Sequence, residues 1–293
     1  MVRKIGLLSA VARGARFVLN RTGFRSRSVP TAIGTLHAYD ARGTGTLPPI
    51  VLLHGLGSAA TSFGPLLTRM RPHARRLVAL DLPGHGFSQA PSQCLTPQAL
   101  FEAVCEALDV LVDEPMILVG GSLGGALALR YAVERPQRLV GLALLSPAAA
   151  RTSPAEWEDL RDTFKIESIA EARLLLARLY HRPPWYLPAL AAGVRDVLQR
   201  TAIRDVVGTA TMEDLPATHD LPMLPMPILL LWGQSERLLP ASSLAYFRRH
   251  LPAHAVIEEP EGFGHCPHFD DPARLALRLI AFARTATAGA AAA

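Results

Sequence analysis

Short, largely apolar runs alternate along this chain with stretches in which apolar positions recur every three or four residues. The runs lie at 50–53, 76–80, 116–119, 139–145 and 227–232, and the stretches with helical spacing include 96–112 and 123–130. Short apolar runs without alternation are typical of strands that are buried on both faces of a sheet. An alternating stretch at 31–39 predicts one further strand. The pattern therefore predicts short strands separated by helices.

A glycine-dense corner joins the run at 116–119 to the helical stretch that follows it. The corner reads Gly120-Gly121-Ser122-Leu123-Gly124. A serine hydroxyl is a weak nucleophile at neutral pH, and it becomes useful when a sharp turn holds it near a base and beside free backbone N–H groups. Small residues two positions before and after the serine let a strand and a helix approach closely at such a turn. Ser122 is therefore the candidate nucleophile, although strings of this kind also occur in ordinary loops.

Four other segments are glycine-rich or acidic, and three of them come at the ends of predicted strands. They read His54-Gly55-Leu56-Gly57-Ser58, Asp81-Leu82-Pro83-Gly84-His85-Gly86-Phe87-Ser88, Trp232-Gly233-Gln234-Ser235-Glu236-Arg237-Leu238-Leu239-Pro240 and Gly262-Phe263-Gly264-His265. Together with the Ser122 corner they resemble the α/β-hydrolase superfamily, specifically its serine esterase and lipase-like members, over roughly residues 35–285. The resemblance implies an α/β-hydrolase fold, with a mostly parallel central sheet flanked by helices and an inserted helical cap.

The resemblance also assigns chemical roles to four residues besides the serine. It implies that Glu236 is the acid and His265 the base of a catalytic triad, in the family's chain order of serine, acid and histidine. The backbone N–H groups of Leu56 and Leu123 would form the oxyanion hole. This chain has glutamate where the family pattern has aspartate, and His268 competes with His265 as the base.

Other chemically suggestive residues have simpler interpretations. His54 is expected to brace its loop, because a different histidine fits the base better. The segment that contains Asp81 and His85 is architectural in the family, so this pair is not expected to catalyse. Cys266 is next to the candidate base, but it lacks the strand-to-helix corner and the oxyanion donors that a nucleophile needs.

The pattern changes after the predicted strand at 139–145, where prolines punctuate several short helical stretches. These stretches resemble the cap that the family inserts over its active site, where a cap excludes water and shapes the substrate pocket. The predicted division is an N-terminal extension at 1–30, core segments at 31–147 and 223–285, a cap at 148–222 and a flexible tail at 286–293. Five aromatic residues of the cap are interpreted as core or as substrate contacts: Trp157, Phe164, Tyr180, Trp185 and Tyr186.

Composition narrows the class of protein without identifying a substrate. The chain has 293 residues, of which 49% are hydrophobic, and no stretch approaches the roughly 20 uninterrupted apolar residues of a membrane span. This length suits one large domain with an insertion. The 3 cysteines lack metal or redox spacing, which argues against a disulfide framework and suits a reducing compartment. No nucleic-acid module is present in the pattern.

The basic residues are concentrated near the N-terminus. The net charge is +5, and residues 1–39 contain basic side chains and no acid. The extension is interpreted as a helix packed on the domain or as a partly disordered segment, with an amphipathic helix on anionic lipid as an alternative. The apolar run at 5–12 is short for a secretory signal, and Arg13 and Arg16 follow it. A cytoplasmic protein, with or without membrane contact, is therefore favoured over a secreted one.

The combined prediction is a serine hydrolase that cleaves carboxylic esters of apolar acyl groups, as an esterase or lipase, without a cofactor or metal ion. An acyl-enzyme on Ser122 would be the intermediate. Thioester, lactone or carbon–carbon bond hydrolysis and acyl transfer remain open within the same fold. A non-catalytic receptor for small molecules is the alternative from another class. The expected partner is a small ester, lipid-like in one interpretation, and the pattern leaves the oligomeric state open.

Overall fold

Within residues 6–292, which the computed structural model describes, eight strands form one sheet. They are β1 (Arg25–Thr31), β2 (Gly34–Arg42), β3 (Ile50–Leu53), β4 (Arg76–Leu80), β5 (Met116–Gly121), β6 (Leu139–Leu145), β7 (Ile228–Leu231) and β8 (Val256–Glu258). Their order across the sheet is β1-β2-β4-β3-β5-β6-β7-β8. The pairs β1–β2 and β2–β4 are antiparallel, and all other neighbours are parallel. The predicted mostly parallel sheet is confirmed.

Helices cover both faces of this sheet, and others lie between β6 and β7. In chain order the α-helices are α1 (Leu7–Arg21), α2 (Gly64–Met70), α3 (Pro97–Leu111), α4 (Leu123–Glu134), α5 (Pro154–Thr163), α6 (Ile169–Leu179), α7 (Ala191–Leu198), α8 (Thr201–Thr209), α9 (Ala241–His250), α10 (Pro267–Asp270) and α11 (Pro272–Ala292). In β3, Val51 and Leu53 belong to the apolar cluster that includes α3 and α4, whereas Ile50 and Leu52 belong to the cluster that includes α2 and α11. Because both faces are covered, this strand is apolar at every position.

The stretch between β6 and β7 folds into α5, α6, α7 and α8. Both α5 and α6 begin with a capping box, in which a serine and the glutamate three residues later satisfy each other's backbone N–H groups. Part of this stretch forms an apolar cluster of its own, built around Ile166, Leu175, Leu187 and Leu198. Val206 and Leu215 belong instead to the cluster that includes α3 and α4, so the stretch also packs directly on the sheet side.

The N-terminal part of the sheet differs from the predicted boundaries. Strand β1 begins at Arg25, inside the predicted extension at 1–30, and the strand predicted at 31–39 is instead the second half of a β1–β2 hairpin. At the edge of the sheet, β1 exposes Arg25 and Arg27, so it lacks the apolar pattern that marks the inner strands. Residues 1–5 of the predicted extension lie outside the described residues.

The C-terminal end also differs, because α11 continues through the stretch predicted as a flexible tail at 286–293. Alanine is the strongest helix former, and Ala286 is fully buried on the sheet beside Gly141. Packing and propensity therefore extend the helix to Ala292, while residue 293 lies outside the described residues. None of the described helices combines the length and the apolar character that crossing a bilayer requires.

Candidate active site

Ser122 lies in a strained turn between β5 and α4. Its backbone has φ of 52° and ψ of −118°, a region that non-glycine residues rarely occupy and that costs about 1–3 kcal/mol. Three backbone hydrogen bonds hold the turn: the Ser122 N–H donates to Leu145 at 3.0 Å, and its carbonyl accepts from Ala126 and Ala148, both at 3.0 Å. The surrounding structure thus fixes a serine at the first turn of a helix.

Glycines allow three backbone segments to meet at this serine. A Cβ atom on Gly120 would lie 2.2 Å from the Gly124 carbonyl oxygen, and one on Gly124 would lie 2.2 Å from the Leu53 carbonyl oxygen. On Gly55 it would lie 3.1 Å from the Ser122 Cβ atom and 3.6 Å from its Oγ atom. Strand β5, helix α4 and the loop after β3 are therefore in direct backbone contact.

Glu236 and His265 form a buried pair on two neighbouring loops. The Nδ1 atom of His265 lies 2.8 Å from Oε2 of Glu236, and the two side chains are 2% and 3% exposed. The second oxygen of the carboxylate, Oε1, accepts the N–H of Leu238 at 2.7 Å and of Leu239 at 3.1 Å. Burial alone would raise the pKa of Glu236, but the His265 ring and these N–H donors hold that pKa below its ordinary value.

The pairing with Glu236 also fixes which ring nitrogen of His265 carries the proton. An ionised carboxylate only accepts hydrogen bonds, so Nδ1 carries the proton and donates it to Oε2. Nε2 of His265 is then left as an acceptor. This is the tautomer that can take a proton from a hydroxyl group.

Topology places these groups at one edge of the sheet. The loop at 54–58 follows β3, Ser122 follows β5 and Glu236 follows β7, and these strands run parallel to one another through β6. His265 follows β8, which is parallel to β7. The carboxyl ends of parallel strands meet at the same edge, which is where ligands bind in open α/β sheets.

A cavity opens above Ser122, and its wall includes Leu56 and Leu123. Within the described residues, neither of these leucines donates its backbone N–H to a protein acceptor. The Leu123 N–H belongs to the first turn of α4, where amide groups have no partner inside the helix and favour negative charge. Both N–H groups are therefore available to an oxygen that binds beside Ser122.

The wall of this cavity is largely apolar and comes from both parts of the chain. From the sheet side it includes Leu100, Ala126 and Leu127, and from the stretch between β6 and β7 it includes Trp157, Leu160, Phe164, Val206, Val207 and Leu215. Of the five aromatic residues that the sequence left open, only Trp157 and Phe164 line the cavity. Tyr180 instead stacks on Phe269, and Trp185 is 91% exposed.

The competing histidine, His268, lacks the environment of a base. It is 8% exposed, and neither of its ring nitrogens has a hydrogen-bond partner among the described residues. Burial lowers the pKa of His268 to about 3. It packs between Phe63 and Phe269 instead. The neighbouring Cys266 is half-buried, and desolvation raises the pKa of its thiol, so it is a weak nucleophile.

The remaining polar residues of the predicted motifs hold loops. His54 accepts the Leu82 N–H on Nε2 at 3.0 Å and donates from Nδ1 to the Gly55 carbonyl at 2.8 Å. Asp81 pairs with His37, not with His85, at 2.9 Å. Among the described residues, no cluster of three or more His, Cys, Asp or Glu side chains is suited to a metal ion.

The sequence model of the alpha/beta hydrolase family matches residues 50–278. The chain belongs to the alpha/beta hydrolase family. It is 30% identical over 249 residues to a pimeloyl-[acyl-carrier protein] methyl ester esterase of Xanthomonas oryzae pv. oryzae, an alignment that covers 80% of this chain and 95% of that protein. It is 32% identical over 255 residues to the protein of the same name from Xanthomonas campestris pv. campestris, with the same coverage of 80% and 95%.

Solved structures of other alpha/beta hydrolases have the same fold. A putative lipase from Acinetobacter baumannii superimposes with a TM-score of 0.80 at 18% identity, over 99% of this chain and 100% of that chain. Naproxen esterase from Bacillus subtilis superimposes with a TM-score of 0.74 at 21% identity, over 96% and 99% of the two chains. These likenesses confirm the fold that the sequence motifs imply.

The predicted site residues fall into two groups in the structure. Glu236 and His265 form the buried hydrogen-bonded pair, and Ser122, Leu56 and Leu123 surround one end of the cavity. Sequence reasoning missed the contacts that hold the loops of Glu236 and His265, which come from residues 178–181 and Asp270. The only feature of the sequence that could have pointed to Asp270 is its position, five residues after the candidate base His265.

Proposed function

We propose that this alpha/beta hydrolase is a carboxylic ester hydrolase with Ser122 as nucleophile, His265 as general base and Glu236 as the acid that orients the base. The observation that carries the proposal is the buried contact of 2.8 Å between His265 Nδ1 and Glu236 Oε2, which leaves Nε2 as a proton acceptor. The strained turn at Ser122 and the free N–H groups beside it add support. The names of the relatives in Xanthomonas agree with ester chemistry.

The proposed reaction proceeds in two halves. Nε2 of His265 takes the hydroxyl proton while Oγ of Ser122 attacks the ester carbonyl, and the N–H groups of Leu56 and Leu123 stabilise the oxyanion. The tetrahedral intermediate collapses to the acyl-enzyme when His265 returns that proton to the departing alcohol. In the second half, His265 takes a proton from a water molecule that attacks the acyl-enzyme. His265 then returns this proton to Oγ of Ser122 as the carboxylic acid leaves. Glu236 balances the charge of the imidazolium in both halves.

The cavity supports an apolar acyl group of medium length as the substrate portion. It extends along α4 from Ser122 to Arg130, eight residues that span about 12 Å at 1.5 Å per residue. Most of its wall is aliphatic or aromatic, while Arg130, Arg161 and Asp214 supply the charged groups. An extended chain advances about 1.2 Å per bond, since three backbone bonds span about 3.3–3.6 Å, so roughly ten carbons would fill this length.

We propose that residues 148–222 act as the cap of this site. They contribute more than half of the cavity wall, including Trp157, Phe164 and Leu215. Part of this segment packs in an apolar cluster of its own, around Leu175 and Leu198, while Val206 and Leu215 pack on the sheet side. Substrate preference should therefore change with substitutions in this segment, while the chemistry resides on the loops of the sheet.

Hydrolysis of p-nitrophenyl esters from acetate to palmitate tests the proposed function. Wild type should prefer chains of about eight to twelve carbons, following the cavity length. Ser122→Ala should abolish turnover, and a fluorophosphonate should form an adduct on Ser122 that mass spectrometry can locate. Cys266→Ala is the control variant and should retain activity. Turnover that survives in Ser122→Ala, or a probe that leaves Ser122 unmodified, would contradict the proposal.

Residues on α1 support contact with an anionic membrane surface as a second property. Leu7, Val11 and Val18 lie on one stripe of the helix, and each is about half exposed. Phe17, beside this outer stripe, is 60% exposed. The same helix contains Arg13, Arg16 and Arg21 and no acidic side chain, so it combines apolar and positive groups, as interfacial helices do.

Sedimentation with lipid vesicles tests this contact. Vesicles that contain phosphatidylglycerol should carry the protein into the pellet, whereas pure phosphatidylcholine vesicles should carry less. The double substitution Val11→Asp and Val18→Asp should release the protein. Val110→Asp is the matched control, since Val110 is 60% exposed on α3 and should not affect binding. Equal sedimentation of both variants would refute contact through the outer stripe of α1.

A further inference from the structure

The end of helix α6 is bonded to the loop that carries Glu236. The Nε atom of Arg178 donates to the carbonyl oxygen of Arg237 at 2.8 Å. In return, the Arg237 guanidinium donates to the carbonyl oxygens of Tyr180 and His181. His181 Nδ1 also lies 2.7 Å from the hydroxyl of Ser235, the residue before Glu236. Side chains from both segments thus tie them together.

The same end of α6 is bonded to the loop that carries His265. The Cys266 N–H donates to the Leu179 carbonyl oxygen at 2.9 Å. A Cβ atom on Gly264 would lie 2.7 Å from the His181 nitrogen, so the two backbones are in contact. The residues immediately before and after His265 are therefore both held against residues 179–181.

Asp270 joins these two segments through a single carboxylate. Its Oδ1 atom accepts the His181 N–H at 2.8 Å, and its Oδ2 atom accepts the Gly264 N–H at 2.7 Å. Gly264 directly precedes His265, so one oxygen of Asp270 fixes the backbone from which the candidate base projects. Burial raises the pKa of Asp270, which shows that keeping a carboxylate here is costly.

The adjacent acid, Asp271, is the residue that caps the start of helix α11. It accepts the N–H groups of Ala273 at 3.1 Å and Arg274 at 2.9 Å, which caps the first turn of α11. Asp270 makes neither of these bonds. The two neighbouring aspartates therefore have different contacts: Asp271 caps the helix, and Asp270 binds the loop of His265.

We infer that Asp270 is a positioning residue for His265, and that through it residues 179–181 of the proposed cap help to set the orientation of the base. The inference rests on the proposed function. The two N–H groups bond to different oxygens of Asp270, and asparagine replaces one of these oxygens by an NH₂ donor, so in this geometry it can accept only one of the two N–H groups. The base loop or the end of α6 would then lose its anchor, and a displacement of about 1 Å can cost on the order of 100-fold in rate.

The test compares Asp270→Asn with Asp271→Asn on p-nitrophenyl octanoate, with melting temperatures measured in parallel. Asp270→Asn should lower kcat and the rate of fluorophosphonate labelling by about tenfold or more, with KM within about twofold, at temperatures where the protein is fully folded. Asp271→Asn should leave kcat unchanged and the melting temperature nearly unchanged, because one amide oxygen can still accept both N–H groups and asparagine caps a helix as well as aspartate does. A merely structural Asp270 would affect melting without slowing the labelling of the folded protein.

Wild-type kcat in Asp270→Asn, or an equal fall in both variants, would overturn the inference. If Asp270→Asn does not fold, Asp270→Glu serves in its place, because it keeps both oxygens and moves them by about 1.5 Å. Wild-type kcat in Asp270→Glu would then overturn the inference. Activity that survives Ser122→Ala would instead refute the proposed function, so the two failures are distinguishable.

Discussion

Replacing Glu236 by glutamine should inactivate the enzyme by trapping the wrong tautomer of His265. Oε1 of Glu236 accepts two backbone N–H groups, from Leu238 and Leu239, whereas Oε2 accepts one bond from His265. The single carbonyl oxygen of a glutamine will therefore keep the two backbone donors, and its NH₂ group will face Nδ1 of His265. That nitrogen must then accept, so the proton moves to Nε2, which can no longer take a proton from Ser122.

The size of the effect follows from this geometry. The opposite orientation of the amide would leave two buried N–H donors facing an NH₂ group, at about 1–3 kcal/mol for each, so it does not relieve the problem. The same change in a serine protease triad lowers kcat by about 10⁴-fold, and at 1.36 kcal/mol per tenfold this is about 5 kcal/mol of transition-state stabilisation. We expect a loss of this order in Glu236→Gln, with KM nearly unchanged.

The assay is steady-state hydrolysis of p-nitrophenyl octanoate by wild type, Glu236→Gln and Glu259→Gln. Glu259 is a more exposed acid that pairs with Arg248, so its substitution should change kcat little. Circular dichroism establishes that each variant is folded. A kcat for Glu236→Gln within about threefold of the wild-type value would refute the role of Glu236, because the tautomer argument allows no such residual rate.

Three further predictions follow from the packing, the cavity and the charge of the site. Gly124→Ala should lower the free energy of unfolding in urea by about 1–3 kcal/mol, because the new Cβ atom would lie 2.2 Å from the Leu53 carbonyl oxygen. Gly121→Ala is the control and should be nearly neutral, because its Cβ atom would have no neighbour closer than 3.9 Å. Equal losses of stability in the two variants would contradict this account. Val207→Phe should reduce kcat/KM for palmitate esters by about tenfold and leave kcat/KM for acetate esters unchanged, because Val207 lines the cavity from the proposed cap. An equal loss of kcat/KM for both esters would argue against the assigned acyl site. In the folded protein the pKa of Glu236 lies below its ordinary value of 4.5, so the ionised carboxylate stabilises the fold above pH 4.5 and this stabilisation is lost as the pH falls through the folded pKa. The difference in melting temperature between wild type and Glu236→Gln should therefore shrink below pH 4.5. A difference that stays constant with pH would contradict the lowered pKa.

The sequence predicted the inner part of the fold because burial on both faces leaves a strong pattern. Strands such as β3 are apolar at every position, and the glycines at 120 and 124 predict the turn at Ser122. The edge strand β1 was missed because it exposes Arg25 and Arg27. The helical end of the chain was predicted as a tail because alanine repeats do not indicate whether a neighbouring surface, here Gly141, will bury them.

The candidate residues of the site could be proposed from sequence motifs, whereas the contacts that hold their loops in place could not. A motif can point to Ser122, Glu236 and His265 by side chain alone. It cannot indicate that Glu236 also accepts two backbone N–H groups, or that Asp270 joins two distant segments, because these contacts depend on how loops meet in space. The same limit explains why the aromatic residues of the proposed cap could not be sorted from the sequence.

The central claim is that Ser122 is activated by a His265 ring that Glu236 holds in place. A crystal structure of the protein modified by a fluorophosphonate with an octyl chain tests it most directly. We predict phosphorus bonded to Oγ of Ser122, a phosphonyl oxygen about 2.7–3.1 Å from the N–H groups of Leu56 and Leu123, and Nε2 of His265 about 2.6–3.2 Å from an oxygen at phosphorus. An adduct on another residue, or a His265 ring turned away from the phosphonate, would contradict the account.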